Sequence, residues 1–232
     1  SNMDKTGYFG SECHGGYAEY TVIPSANALA VTSDYSDAEL ATFSCSYSTA
    51  EGMVCRAAMT ASDTVLITGA SGGVGGALIQ LAKLRGARVI ALASTEKHAA
   101  VTALGADRVL PRSPENLEAE LADERVTVVA DVVGGSDWHN YIDALERGGR
   151  YVSSGAIAGP IVELDLRTFY LRDLTLLGST VIPPEVTENL IRYIESKAIR
   201  PVLAASYPLA QLREAQTAFI AKAHTGNIVV TP

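Results

Sequence analysis

The chain has 232 residues, 47% of them apolar, and a formal net charge of −8, which suffices for one large α/β domain or one domain plus fragments of another. The acidic balance argues against non-specific nucleic-acid binding and for a soluble protein; no apolar run approaches a bilayer-spanning length and no secretory leader is visible. The three cysteines, Cys13, Cys45 and Cys55, are too few and too far apart for a disulfide framework or a CxxC zinc knuckle, so a reducing cytoplasm is expected.

In chain order, Ser1-Asn2 ahead of Met3 reads as a scar of tag cleavage. Residues 4–35 read as β- and loop-rich, with alternation over Tyr17–Ile23 that stops at Pro24. The first helical pattern opens at Ser36, where Ser36-Asp-Ala-Glu39 has the form of a capping box, and runs to about Met59. From Thr64 onward strands and helices alternate. Strands are predicted at 64–68, 88–93, 108–110, 126–132, 149–154 and 174–178, with helices near 73–85, 95–104, 114–122 and 137–146. Gly86, Gly105 and Gly148 fall at helix C-caps, and Pro114 at the first helical position after Ser113. Val126–Val133 is apolar on both faces, which belongs inside a parallel sheet covered on both sides. Together these elements predict an α/β fold, a doubly wound six-stranded parallel sheet of the Rossmann kind. After Pro183-Pro184 come a helix near 185–197, an extended stretch to Pro208, a helix over about 209–223 and a closing strand, Gly226–Thr231.

The run Thr64-Val-Leu-Ile-Thr-Gly-Ala-Ser-Gly-Gly-Val-Gly-Gly76, followed by the apolar Ala77–Leu84, reads as a buried strand, a glycine turn and a helix. A helix N-terminus offers free N–H groups to an anion, and glycine is needed where a Cβ would hold a phosphate away from them. Gly69, Gly72 and Gly75 in this context point to a dinucleotide and so to redox chemistry; the plain alternative is a tight turn with close helix–strand packing and no ligand. A pyrophosphate is expected at the amides of Gly73 and Val74. The second strand ends in Ala93-Ser94-Thr95-Glu96-Lys97, with hydroxyls and a nearby lysine where an acid would select NAD. Ser94, Thr95, Lys97 and Arg112 supply the donors and charge that a ribose 2′-phosphate needs, so NADP is favoured and NAD is the alternative. Glu96 counts against that site, and Lys97 and Arg112 also read plainly as solvated surface charges.

Eight stretches then carry a family resemblance: Gly15–Tyr20, Cys45–Ala50, Gly69–Gly75, Leu104–Asp107, Asp131–Gly135, Gly148–Arg150, Leu176–Ser179 and His224–Gly226. In this order they resemble the C-terminal two-thirds of the medium-chain dehydrogenase/reductases, the superfamily of zinc alcohol dehydrogenases and quinone oxidoreductases. The resemblance implies that residues 1–48 are a remnant of a β-rich, GroES-like catalytic domain, that 49–182 form the dinucleotide domain, and that 183–232 return toward the catalytic domain. The family's remaining N-terminal part is missing, as in a piece cut from a longer protein or a truncated gene product. By resemblance, Cys45 aligns with a ligand of the catalytic zinc in a full-length protein, where zinc would act as a Lewis acid, while Cys13 and His14 are ordinary loop residues. Thr49 is implied to lie against the nicotinamide, Val133 beside the adenosine, Ser154, Gly155 and Ala156 along the nicotinamide, and Ser179, Thr180 and Val181 at its carboxamide. Asn227 stands where the family often has a basic residue near the phosphates. The activity implied is hydride transfer between NADP(H) and a small-molecule alcohol/carbonyl or enone/quinone substrate, in a homodimer joined through the edge strand near 174–181, with no nucleic-acid or membrane partner.

Two alternatives stay open. The run Thr68–Gly75 also fits the TGxxxGxG pattern of short-chain dehydrogenases, and Tyr193-Ile-Glu-Ser-Lys197 supplies their YxxxK, with tyrosine as general acid and Thr180 as a hydroxyl partner. The other alternative is a catalytically incomplete NAD(P)-binding module, since the chain holds most nucleotide contacts and little of a substrate lobe.

Overall fold

The computed structural model describes residues 7–232, and the reading of Ser1-Asn2 and the start of the β-rich stretch lie outside them. Residues 17–23 form no strand; Tyr20 and Val22 are more than nine-tenths exposed. The alternation is real, but a lone strand leaves its ladder groups unpaired, and no described strand lies beside it. The predicted helix from Ser36 comes in three pieces: α1 (Asp37–Thr42), a π-helical turn (Phe43–Tyr47) and α2 (Ser48–Arg56). Ser36 makes the expected capping box with Glu39. Widening the turn loosens the helical ladder, and the Ser48 hydroxyl donates to the carbonyls of Ser44 and Cys45 at 2.7 and 3.2 Å.

The alternating region builds β1 (Thr64–Ile67), α3 (Gly73–Leu84), β2 (Arg88–Ala93), α4 (His98–Ala103), β3 (Arg108–Pro111), α5 (Leu117–Leu121), β4 (Val126–Asp131), α6 (Trp138–Ala144), β5 (Leu145–Ser153), α7 (Leu166–Leu171) and β6 (Thr175–Gly178). The six strands form one sheet in the order β3-β2-β1-β4-β5-β6, all neighbours parallel. The sequence reading of a doubly wound sheet therefore holds. Its apolar strands divide between two cores, because successive side chains leave a strand on opposite faces. Val65 and Ile67 join Val128 and Ala130 in one core with Leu78, Leu81 and Val101. Leu66 and Val129 join Leu117, Trp138 and Ile142 in the other.

Two cap assignments need correction. Pro114 is not the first helical residue: the Asn116 side chain accepts from Ala119 N at 2.9 Å and starts α5 at Leu117. Gly148 does not follow a helix; it lies within β5 at φ +78°. That strand begins early because Leu145 is buried and pairs with Val126, and an irregularity separates this pairing from the regular ladder over Arg150–Ser153. At the opposite, amino edge of the sheet, Asp63 accepts from Thr127 Oγ1 and Thr60 N, both at 2.7 Å, and pairs with Arg150. Burial alone would raise this carboxyl; these bonds and the guanidinium outweigh it and hold it below its ordinary value.

After the sheet come α8 (Pro184–Glu195), β7 (Leu203–Pro208), α9 (Leu212–Ala221) and β8 (Asn227–Thr231). Val186, Leu190 and Ile194 of α8 join the core shared by α2 and α3. β7 and β8 pair in parallel, and just before β8 Gly226 pairs with Gly72.

Candidate functional site

Strand order reverses between β1 and β4, and ligands of such sheets bind beyond the carboxyl ends of the strands at that reversal. The glycine turn lies there. Gly69 takes φ +57°, and a Cβ on it would come within 3.0 Å of the Val132 side chain. Gly72 is the N-cap of α3 and no side chain caps it. Among the described residues, nothing accepts from the amides of Gly73, Val74 and Gly75. Gly75 lets α3 press on the turn, since a Cβ there would lie 2.7 Å from Ala70 Cα. Gly73 is covered by the side chains of Asn227 and Ser46.

The helix carrying Cys45 and Thr49 crosses this same edge. Ser46, in the π turn, touches Gly73. Two turns on, Gly52 faces the Ser179 hydroxyl, and the Ser154 hydroxyl donates to Met53 Sδ at 3.0 Å. Ser179 N donates to Ser153 O at 2.8 Å, which joins the ends of β5 and β6. Gly155 keeps those of β4 and β5 close, because a Cβ there would sit 3.1 Å from Val132 O. Ala156 and Thr180 are exposed, and Val181 O accepts from Arg56. So the structure brings Gly69–Gly75, Val133, Ser154, Gly155, Ser179 and Asn227 to one rim; Thr49 lies in α2 between Ser46 and Gly52, and Ala156, Thr180 and Val181 follow in the adjoining chain.

Four residues that the sequence reading did not single out organise this rim. One is Ser46. The others are Thr68, Asp131 and Tyr151, which form a buried network. The Asp131 carboxylate, fully buried, accepts from Thr68 Oγ1 at 2.5 Å, Tyr151 OH at 2.5 Å, Val133 N at 2.8 Å and Gly134 N at 3.1 Å. Burial, then the Asp131 charge, push the Tyr151 phenol well above its ordinary value, so it stays a proton donor. An acid ending an apolar strand was the available signal.

Ser94 and Thr95 follow the end of β2. Glu96 sits among the proposed phosphate donors: the Ser94 hydroxyl, and more weakly the charges of Lys97 and Arg112, hold its carboxyl below the ordinary value. The Lys97 ammonium donates to Lys222 O at 2.6 Å and His224 O at 2.7 Å, at the end of α9. Arg112 is exposed and makes no hydrogen bond among the described residues.

Both side chains of the tyrosine–lysine alternative have other partners. Tyr193 OH accepts from Arg85 at 2.9 Å, and Lys197 pairs with Asp34 at 2.8 Å. Arg85 follows the last turn of α3, so that hydroxyl is tied to the end of the helix opposite its glycine-turn start. Cys45 is exposed, and no three His, Cys, Asp or Glu among the described residues are grouped to hold a metal. These residues therefore do not make a zinc centre, which needs three protein ligands. No helix among them is long and apolar enough to cross a membrane.

A parallel, doubly wound sheet with unpartnered amides at its switch point defines a dinucleotide-binding fold. The family model described as zinc-binding dehydrogenase matches residues 73–196, and the chain belongs to the medium-chain dehydrogenase/reductase superfamily. It is 33% identical over 178 residues to an acryloyl-coenzyme A reductase of Metallosphaera sedula, covering 76% of this chain and 53% of that protein. It is 30% identical over 236 residues to a chloroplastic NADPH-dependent alkenal/one oxidoreductase of Arabidopsis thaliana, covering all of this chain and 57% of that one. A solved structure from Sinorhizobium meliloti 1021 superposes with a TM-score of 0.93 at 47% identity, covering 97% of this chain and 64% of that one. The chain thus spans little more than half the length of the two relatives.

Proposed function

We propose that this chain is the nucleotide-binding part of an NADP(H)-linked oxidoreductase acting on a small alcohol/carbonyl or enone/quinone substrate. The observation that carries the reading is the trio of unpartnered amides, Gly73 to Gly75, at the start of α3 on the switch-point rim. The names of the two relatives favour the enone side. Bound there, the cofactor supplies or accepts a hydride. The chain's own part is positioning. The three amides hold the pyrophosphate, and Ser94, Thr95, Arg112 and Lys97 meet the 2′-phosphate, for which Lys97 exchanges the carbonyls of Lys222 and His224. Val133 borders the adenosine. The backbone of Ser154–Ala156 and Ser179–Val181 flanks the nicotinamide, opposite Thr49 on α2. Cys45 is proposed as a zinc ligand only where other donors complete the site in a longer protein. The free cysteines fit a reducing compartment such as the cytoplasm.

Titration calorimetry with NADPH and NADH tests this. The expected result is binding of both, at least tenfold tighter for NADPH. Silence with both nucleotides overturns the reading, and tighter NADH overturns the 2′-phosphate assignment. Binding without turnover on a carbonyl and enone panel would make the chain a binding module.

We further propose a homodimer across the free edge of β6, near 174–181. α7, the helix that leads into that strand, exposes Leu166, Tyr170 and Leu171, each more than half accessible, and an apolar edge strand needs a partner. Light scattering should give twice the chain mass; a monomer at high concentration would refute the assembly.

A further inference from the structure

The glycine turn touches a side-chain pair, Ser46 and Asn227. Ser46 Oγ donates to Asn227 Oδ1 at 2.6 Å, across 181 positions of sequence. Both side chains close over Gly73, where a Cβ would strike the pair. Asn227 is itself held from behind: its Nδ2 donates to Val202 O at 3.3 Å and its backbone N to the same carbonyl at 2.8 Å. Its neighbour Gly226 donates to Ser71 O at 2.9 Å, within the glycine turn. On the other side, Ser46 is buried in the π turn while Cys45 beside it is exposed. A π turn inside a helix is a frequent mark of a functional position.

We propose that Ser46 and Asn227 form a latch that couples occupancy of the glycine turn to the placement of the π turn bearing Cys45. The inference rests on the dinucleotide reading above. An anion drawn onto the amides of Gly73 and Val74 fixes the one surface that both side chains touch. Through Ser46 that order passes to Phe43–Tyr47, and through Asn227 to the start of β8. The pair is thus a positioning element: it aligns the exposed segment of the π turn with the nucleotide.

Hydrogen exchange read by mass spectrometry tests the latch, with ADP-ribose as the probe. ADP-ribose carries the pyrophosphate but lacks the nicotinamide. In the parent chain it should slow exchange over residues 72–76 and, at least fivefold, over 43–48. In Ser46→Ala the slowing at 72–76 should persist, while that at 43–48 falls below twofold. Asn227→Ala should act alike, and the double variant should lose no more than either single one, as for two halves of one contact. A residue with only a packing role would raise basal exchange at 43–48 and leave the ratio with and without probe unchanged; that result overturns the latch. So does equal slowing at 43–48 in parent and Ser46→Ala, since the probe would then shield the segment directly. ADP-ribose that gives no heat and no slowing at 72–76 overturns the dinucleotide reading and the coupling with it, whereas slowing confined to 72–76 in the parent refutes the latch alone.

Discussion

Gly75→Ala is expected to cost the chain its dinucleotide binding, with affinity for NADPH falling at least a hundredfold. Two effects of opposite sign meet at this position. Alanine in the first turn of α3 gains about 1 kcal/mol of helix propensity over glycine. Against that, the new Cβ would lie 2.7 Å from Ala70 Cα and closer still to Gly69 O. Both obstacles are backbone in the turn itself, so no side chain can swing aside. α3 must then back away from the turn, which opens a well-packed contact at about 1–3 kcal/mol and moves the three amides off a common focus. A hundredfold loss corresponds to about 2.7 kcal/mol, within reach of a shift that misaligns three charge-assisted hydrogen bonds. Calorimetry gives the affinity and thermal unfolding gives the stability. An affinity within threefold of the parent would show that the amides of this turn do not hold the pyrophosphate.

The second large effect is expected at Asp131, which touches no ligand in the scheme above. Asp131→Ala removes the acceptor shared by Thr68, Tyr151 and the amides of Val133 and Gly134. Each buried donor left without a partner costs about 1–3 kcal/mol. Thr68 keeps one bond, accepting from Val132 N at 3.1 Å. Tyr151 keeps its edge contact with Trp138, at 5.8 Å between ring centroids. The net loss should be about 3–5 kcal/mol, and at roughly 2–4 °C per kcal/mol for a chain of this size the melting temperature falls by about 6–20 °C. Asp131→Asn should cost much less, since its amide oxygen still accepts from Thr68 and Val133 while the Tyr151 hydroxyl turns to accept from the amide nitrogen. A melting temperature for Asp131→Ala within 2 °C of the parent would mean that the network does not hold the β4 end. Because Gly134 and Val133 are tied down by Asp131, nucleotide affinity should fall together with stability.

The two positions differ in how readily the sequence reveals them. Gly75 belongs to a run whose meaning is local: strand, turn and helix follow within a dozen residues, and their requirements act between near neighbours. Asp131 stands in a motif that marks the family, yet nothing nearby says that its partners are Thr68 and Tyr151. The same holds for the strand boundaries. β1, β2 and β4 lie close to their predicted limits because they are apolar throughout. β5 starts four residues early, because pairing of Leu145 with Val126 decides its beginning. The alternating stretch at Tyr17–Ile23 shows the converse, a strand pattern without a neighbour to pair with among the described residues. Lys97 was read as a phosphate donor from its place after β2. What its place after β2 does not reveal is that its ammonium meets the carbonyls of Lys222 and His224, more than a hundred residues away in the chain.

Periodicity, capping residues and the glycine turn were enough to define the alternating order of elements, the buried character of the central strands and the position of the glycine turn between β1 and α3. These follow from forces that act over one or two turns of chain. Tertiary structure alone decided which strand lies beside which, that the π turn with Ser46 reaches the glycine turn, and that Asn227 closes over it from the far end of the sequence. Contacts of that kind depend on how the layers stack, and a hydrogen bond across 181 residues leaves no periodic trace in either partner's neighbourhood.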